Sequence, residues 1–562
     1  MRLWKGNDNL SAFIYAFLTV SIVLTFLLGR VDAAGIVCIV FLLKLHNDTS
    51  GKSYRQPLNS ILFFIFLFII TLPVYYNYID PDAVAYITIA RRYAAGDFSR
   101  AVNGLWSPFG SWLVAPWIML GLPSVFASFC MNALACIAII VVSNKWFKRF
   151  HVSSKYAKWL MRILPVFLIF CNYIQSFDDL WQLFFLLCYL LLVTSRSFIT
   201  SWGKWLLCGL LGALAYFAKA YSFYFIIVHL LVTLLILAKQ NGLSRKTIIK
   251  PFATVVLIML IIMSPWIYAL HKKYRVWTLS TASSLNESWF LTGHKTYKPG
   301  ITYLIPPPYD NSPCNWEDPY INEGHLYKPW ENPKFVLVQA GRSAVAVWQT
   351  IIALLQISIF LLPVFIATKW TVLYNKPPGI FTLNHKILLW ASLIIPLGYL
   401  AIHMEARYIW LLTFTGMVFG AVWLDKLKER LSVRKFDLIV ILFALSFIVY
   451  PVYKMERMFV AMMHRVTIDI ARCKLHGCFT SNAKPADMEV LALKNYMQYY
   501  TLDVPINHEA LLAEMRRYHI KYYLYYFNKG LDWRTIHFYD ENNKPFPIEC
   551  TLPGVNIFRI TP

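Results

Sequence analysis

The chain has 562 residues, of which 58% are hydrophobic and only 15% charged; so little charge excludes an ordinary soluble globular protein. A formal net charge of +24 raises the question of a nucleic-acid partner, but most of the cations fall in short loops between apolar runs, where they set membrane orientation instead. The class that remains is a polytopic α-helical membrane protein, with membrane lipids as its solvent and no nucleic acid among its partners.

About thirteen apolar runs of bilayer-crossing character follow one another, at residues 11–29, 33–45, 58–77, 123–143, 160–174, 180–194, 205–218, 221–238, 252–270, 344–368, 387–403, 408–424 and 436–453. The first has no small-residue cleavage site and continues into more apolar sequence, so it reads as an anchor rather than a cleaved signal. Basic residues cluster in alternate loops: Lys52 and Arg55; Lys145, Lys148, Arg149, Lys155 and Lys158; Arg196 and Lys204; Lys239, Arg245, Lys246 and Lys250; Lys369 and Lys376; Lys426, Lys428, Arg430, Arg434 and Lys435. That side, with the N-terminus, is assigned to the cytoplasm of a bacterial cell, the chain lying in its plasma membrane. The opposite face then receives loops 78–122 and 271–343 and everything from 454 onward.

The first external stretch, YIDPDAVAYITIARRYAAG at 78–96, carries two carboxylates just where an apolar run ends. Asp80 suits an N-cap, Pro81 a first helical residue and Gly96 a stop, so a short helix is expected to begin at the acids. Val84, Ile87 and Ile89, with Arg91 and Arg92, suit a helix lying on the membrane surface. The plain alternative is that Asp80 only caps the helix and Asp82 only favours its positive end.

Asp178 and Asp179, in NYIQSFDDLWQLFF, are either a helix cap or a second acidic site facing the same external cavity. Lys219 interrupts the apolar GALAYFAKAYSFYF as a snorkelling lysine or as a cation held for an anionic ligand. The long loop 272–342, with IPPPYDNSPCNWEDPY at its centre, has enough Trp and Tyr to be ordered and is functional or a plug over the external face. His403, Glu405, Arg407 and Tyr408 form HMEARYIW, an interfacial anchor or a phosphate-recognising cluster, since arginine offers a planar fork of donors.

The tail has another character: helical periodicity at 485–500 and 507–520, and strand-like runs at 521–527, 536–539 and 556–560. The expected division is a membrane domain over 1–453 and a small extracytoplasmic α/β domain over 454–562. Of the ten cysteines, Cys38, Cys130, Cys136, Cys171, Cys188 and Cys208 lie in apolar runs, whereas Cys314, Cys473, Cys478 and Cys550 lie outside them, where one or two disulfides can form.

One carboxylate to take a proton from an acceptor, with lysine and arginine to neutralise a departing phosphate, is the equipment for sugar transfer from a lipid-linked phosphate. The order of these features resembles the GT-C glycosyltransferases that use polyprenyl-phosphate sugars, in layout the lipid A aminoarabinose transferases and protein O-mannosyltransferases. In those proteins an acid four residues before Tyr or Phe opens the first external loop, followed by a Gly and a Pro-containing segment. Here Asp82, Tyr86, Gly96 and WSPFGSWLVAPW around Pro108 stand in that order. Ala83 occupies the place where the family often has a second acid, which leaves Asp80 as the neighbouring carboxylate. An acid before a span matches Asp178 or Asp179, a Gly-rich span ending in Lys matches GLLGALAYFAK with Lys219, a Pro-Trp matches Pro265 and Trp266, and Glu-x-Arg-Tyr matches Glu405, Arg407 and Tyr408.

The resemblance covers about 78–424. It implies a membrane glycosyltransferase that inverts the anomeric carbon and has a polyprenyl-phosphate-linked sugar as donor and a lipid, glycan or protein as acceptor. Asp82 is the implied base or acceptor-positioning carboxylate, Asp80 with Asp178 or Asp179 its support, Lys219 and Arg407 (with Tyr408) the donor-phosphate ligands, and Tyr86, Glu405 and His403 supporting residues. No cofactor is required; a divalent metal held by His403, Glu405 and the carboxylates is admitted but not demanded by the charges. A lipid-linked sugar flippase would place ionisable residues near span midpoints and show paired halves, and a non-catalytic envelope scaffold gives no reason for Lys219.

Overall fold

The computed structural model describes residues 56–174, 177–242, 244–374, 380–463, 470–502, 506–527 and 532–560. The apolar runs expected at 11–29 and 33–45, with Cys38, Lys52, Arg55 and Lys376, lie outside them. Among the described residues eight helices are long and apolar enough to cross a membrane, and Trp202–Ala218 and Leu361–Tyr374 are shorter apolar helices. The chain is thus a multi-pass helical membrane protein with a small C-terminal sheet.

In chain order the helices are α1 (Gln56–Tyr75), α2 (Pro81–Ala94), α3 (Pro108–Met119), α4 (Ser124–Arg149), α5 (Ser154–Tyr173), α6 (Phe177–Val193), α7 (Trp202–Ala218), α8 (Tyr221–Asn241), α9 (Arg245–Tyr274), α10 (Ala282–Thr292), α11 (Pro333–Ile357), α12 (Leu361–Tyr374), α13 (Leu383–Ile394), α14 (Trp410–Lys428) and α15 (Val433–Met463). The single run expected at 344–368 is two helices, α11 and α12, parted by an extended Ser358. Pro363 has no N–H to bond back to residue 359, so a helix restarting just before it loses nothing. The short runs at 160–174, 180–194 and 205–218 are helices in their own right, α5, α6 and α7.

Helix α2 begins as expected. Asp80 caps it by accepting from the Asp82 N–H at 3.0 Å, Pro81 is its first residue, and Gly96 follows its end at φ +76°. Its apolar face is covered by other parts of the chain, however. It is wedged between α3, the turn Asn315–Glu317 and a helix of the tail, so Arg92, expected to face headgroups, is buried against Glu317. Arg91 donates to the Ser124 hydroxyl (3.0 Å) and the Leu493 carbonyl (3.3 Å).

The tail adds helices α16 (Pro485–Asn495) and α17 (His508–Arg517) to strands β2 (Cys478–Ser481), β3 (Gln498–Tyr499), β5 (Tyr522–Tyr526), β6 (Ile548–Leu552) and β7 (Val555–Arg559). The sheet order is β3-β2-β5-β7-β6, with β2 parallel to β3 and β5 and the β5–β7 and β7–β6 pairs antiparallel. The run at 536–539 is not a strand: Asp540 turns back onto Lys544 while Phe538 packs into the tail core, and β6 takes the sheet edge instead. Two further strands, β1 (Leu304–Ile305) and β4 (Thr501–Leu502), pair antiparallel and stitch the long loop to the tail. Of the four cysteines placed outside the spans, Cys473 and Cys550 are joined by a disulfide while Cys314 and Cys478 are free thiols.

Helices α7 and α9 approach closely at Gly209. A Cβ built there would lie 2.7 Å from the Ile258 Cβ and 3.0 Å from the Val255 carbonyl oxygen, whereas one at Gly203 on the same helix meets nothing within 4 Å. Gly209→Ala is therefore expected to lower stability by about 1–3 kcal/mol, the scale of overpacking, and Gly203→Ala to leave it unchanged or slightly raised; thermal melting of both variants in detergent checks this.

Candidate active site

The first turns of α2 and α6, the end of α7 and the segment entering α14 meet the long loop around a cavity of about 520 Å³. Asp82 and Tyr86, four residues apart and so on one face of α2, reach it from one side. Asp178 and Asp179 come from the first turn of α6, Lys219 from the residue that ends α7, and His403, Glu405, Arg407 and Tyr408 from the segment leading into α14. Of the acids singled out from sequence at 80, 82, 178, 179 and 405, Asp80 does not line it, its carboxylate being turned to the cap of α2.

The charges in the cavity are interlocked. Arg407 Nη2 lies 2.6 Å from Asp82 Oδ2, and its Nε lies 2.7 Å from Glu405 Oε2 and 3.6 Å from Asp179 Oδ2. Lys219 pairs with the other oxygen of Asp179 and stands over the Tyr408 ring, 3.9 Å from its centroid. Tyr408 stacks on Tyr399 at 4.6 Å, which fixes that ring as a floor for the ammonium. Three carboxylates thus surround two cations.

Asp178 and Asp179 have separate tasks. Asp179 holds the cations; Asp178 accepts from the Gly110 N–H at 2.8 Å and from the Tyr86 hydroxyl, tying α6 to α3 and α2. Glu405 is held down to about 2: burial opposes this, but the His403 hydrogen bond and the charges of Arg407, His403 and Lys219 outweigh it. Among the described residues no group of three His, Cys, Asp or Glu side chains is arranged to hold a metal, and Asp82, Asp179 and Glu405 are already engaged with cations.

Sequence reasoning missed Trp316. Its Nε1 donates to Asp82 Oδ1 at 3.2 Å, so Asp82 is held at both oxygens. The turn carrying Trp316 is clamped from two sides. Arg92 pairs with Glu317 and donates to Asn311 (2.9 Å) and Ser312 (3.0 Å), while Lys273 lies 2.8 Å from Asp318, which also accepts from Tyr274 (2.9 Å) and Tyr309 (3.0 Å). Trp106 packs edge-on against Trp316 and donates to its carbonyl at 2.9 Å. The only trace of this in the sequence is the aromatic and proline content of the loop.

No family model matches the sequence, and no curated protein does either. Among solved structures, ArnT from Cupriavidus metallidurans bound to undecaprenyl phosphate matches with a TM-score of 0.50 at 12% identity, over 89% of this chain and 98% of that one. The fold is of the GT-C type. ArnT from the same organism in the apo state matches over the same shares at 12% identity and a TM-score of 0.48. At such identity it is the GT-C fold that is shared, and the chemistry has to be argued from this chain's own cavity.

Within that GT-C frame Asp80 gives a measurable signature. Burial first, and the nearby Asp82 charge second, push its carboxyl up from 3.8 to about 7. Between those values the folded chain keeps a proton that the unfolded chain has released, so stability falls as pH rises and levels off above about 7. Asp80→Asn keeps the cap but has no proton to lose. The variant is expected to match wild type near pH 4 and to gain on it up to pH 7 in melting profiles; parallel profiles would show that Asp80 titrates normally.

Proposed function

We propose that the chain is an integral membrane glycosyltransferase that moves a sugar from a polyprenyl-phosphate donor to an extracytoplasmic acceptor, with inversion. The observation that carries this reading is the Asp82–Arg407–Asp179–Lys219 cluster on the wall of an open cavity in a GT-C fold. The undecaprenyl phosphate bound to the ArnT neighbour supports a lipid of that class here.

The charges define the order of events. Among the described residues Lys219 and Arg407 are the lysine and arginine of the cavity and both are paired, so a donor phosphate has to draw them away from their carboxylates. Once Arg407 turns its fork to the phosphate, Asp82 loses its strongest partner and is left as a proton acceptor beside the anomeric carbon. An acceptor hydroxyl or amine then attacks that carbon from the face opposite the phosphate and gives its proton to Asp82. The bond from carbon to phosphate oxygen breaks with its electron pair on the phosphate. Lys219 and Arg407 stabilise the charge that develops there, and a phosphate leaving group needs no general acid. Trp316 keeps its hold on the other Asp82 oxygen and so fixes the carboxylate's direction.

The charged groups sit at helix ends and not at span midpoints, which favours transfer at one face over passage through the bundle. Alternation of the basic loops supports an extracytoplasmic tail, with the N-terminus inside and the cavity outside. A plasma membrane of bacterial type fits a polyprenyl-phosphate donor.

Asp82→Asn keeps the size of the side chain but loses the basic oxygen, so release of polyprenyl phosphate is expected to fall by about 10²-fold or more, the scale of general-base catalysis, with the melting temperature as the control for folding. Asp80→Asn is the companion variant and is expected to keep most of its turnover. Normal turnover in Asp82→Asn, or loss confined to Asp80→Asn, would remove Asp82 from this role. Arg407→Ala is expected to weaken donor binding and Arg407→Lys to restore it only in part, because lysine cannot present a bidentate fork.

A further inference from the structure

A second cavity, of about 560 Å³, opens at the other end of α4. Helix α4 runs from Ser124, beside Arg91 of α2, to Arg149, so its 26 residues put about 39 Å between the two ends. Four basic side chains, Lys148, Arg149, His151 and Arg196, line this second cavity, and among the described residues none of its lining is acidic. Such residues are ordinary on a cytoplasmic loop, where positive charge sets topology. Topology alone does not explain why they come from separate loops and converge on one concavity, nor what His151 does there.

His151 occupies the position that ends α4. Its N–H bonds to the Lys148 carbonyl at 3.2 Å and the Val152 N–H bonds to the Phe147 carbonyl at 2.9 Å, the pairing of a Schellman cap, whose left-handed residue is usually glycine. His151 adopts φ 55°, a conformation that is unfavourable for a residue with a Cβ. The left-handed turn directs an imidazole into the cavity where glycine would leave nothing. Arg149 is itself fixed by donation to the Thr194 carbonyl at 3.3 Å, and Thr194, Ser195 and Asn384 add neutral polar groups to the lining. Ile199, Leu237 and Leu383 form an apolar part of the wall, and Asn241 and Thr382 complete the lining with further polar groups.

We infer that this cavity is a binding site for a phosphate monoester, taken from a lipid headgroup or from a soluble phosphate, on the face opposite the transfer site. Several cations and hydroxyls around one void match the oxygens of a phosphate, and the apolar wall offers a path for the first carbons of an acyl chain. The site does not depend on the transfer chemistry at Asp82.

The test uses the full-length, delipidated protein in detergent. Native mass spectrometry compares retention of phosphatidic acid with phosphatidylcholine, and thermal melting with inorganic phosphate forms a second arm. The variant Lys148→Gln/Arg196→Gln removes two exposed cavity cations; Lys145→Gln/Lys155→Gln removes two cations of the same loop region that do not line the cavity. The expected result is selective retention of phosphatidic acid that the cavity variant weakens by about tenfold or more, the scale for two cations beside an anionic headgroup, and the control by much less. Stabilisation by inorganic phosphate, lost in the cavity variant and kept in the control, would equally support the site and make its ligand soluble. Equal weakening in both double variants, or no selective binding in either arm, would overturn it.

Discussion

Charge at the end of a membrane-spanning helix is tolerated when it is neutralised on the spot, and five side chains in this protein neutralise one another from four separate parts of the chain. Asp82 comes from the start of α2, Asp179 from the start of α6, Lys219 from the end of α7, and Glu405 and Arg407 from the entrance to α14. Each pair needs its helix to end at one residue and no other. Losing one partner of a fully buried pair costs about 3–5 kcal/mol; Asp82 and Glu405 are partly open to the cavity, so that is an upper bound here. The same neutralisation that permits the cluster leaves it responsive, because an entering anion competes with carboxylates for both cations.

A second set of charges determines what covers the cluster. Arg92 with Glu317, and Lys273 with Asp318, grip one short turn of the long loop, and that turn carries Trp316. The tail contributes through α16, whose Val490 and Leu491 pack with Ile79, Val84 and Ile87, and through the β1–β4 pair. The long loop and the tail therefore act as one support for α2, and α2 in turn sets the direction of Asp82.

Much of this was legible in the sequence, and for physical reasons. A charge in or beside an apolar run is costly enough to stand out, so Asp82, Asp178, Asp179, Lys219 and Arg407 could be picked without knowing what they touch. Asp80, Pro81 and Gly96 follow local rules of helix capping that need no tertiary information. What was hidden depends on contacts between distant segments. The burial of Arg92 requires Glu317, 225 residues away, and a surface-seeking arginine looks the same in sequence as one with a buried partner. The division of labour between Asp178 and Asp179 depends on the Gly110 N–H and on Lys219. The strand-like run at 536–539 failed because a strand needs a neighbour as well as a propensity, and β6 had the hairpin with β7.

The most direct measurement is the structure of the full-length protein with a polyprenyl phosphate bound, read at the distance between Arg407 Nη2 and Asp82 Oδ2, which is 2.6 Å here. The expected result is a phosphate seated against Lys219 and Arg407, with that contact opened and Asp82 still held by Trp316. A phosphate bound elsewhere, with the Arg407–Asp82 and Lys219–Asp179 pairs both intact, would contradict the central claim.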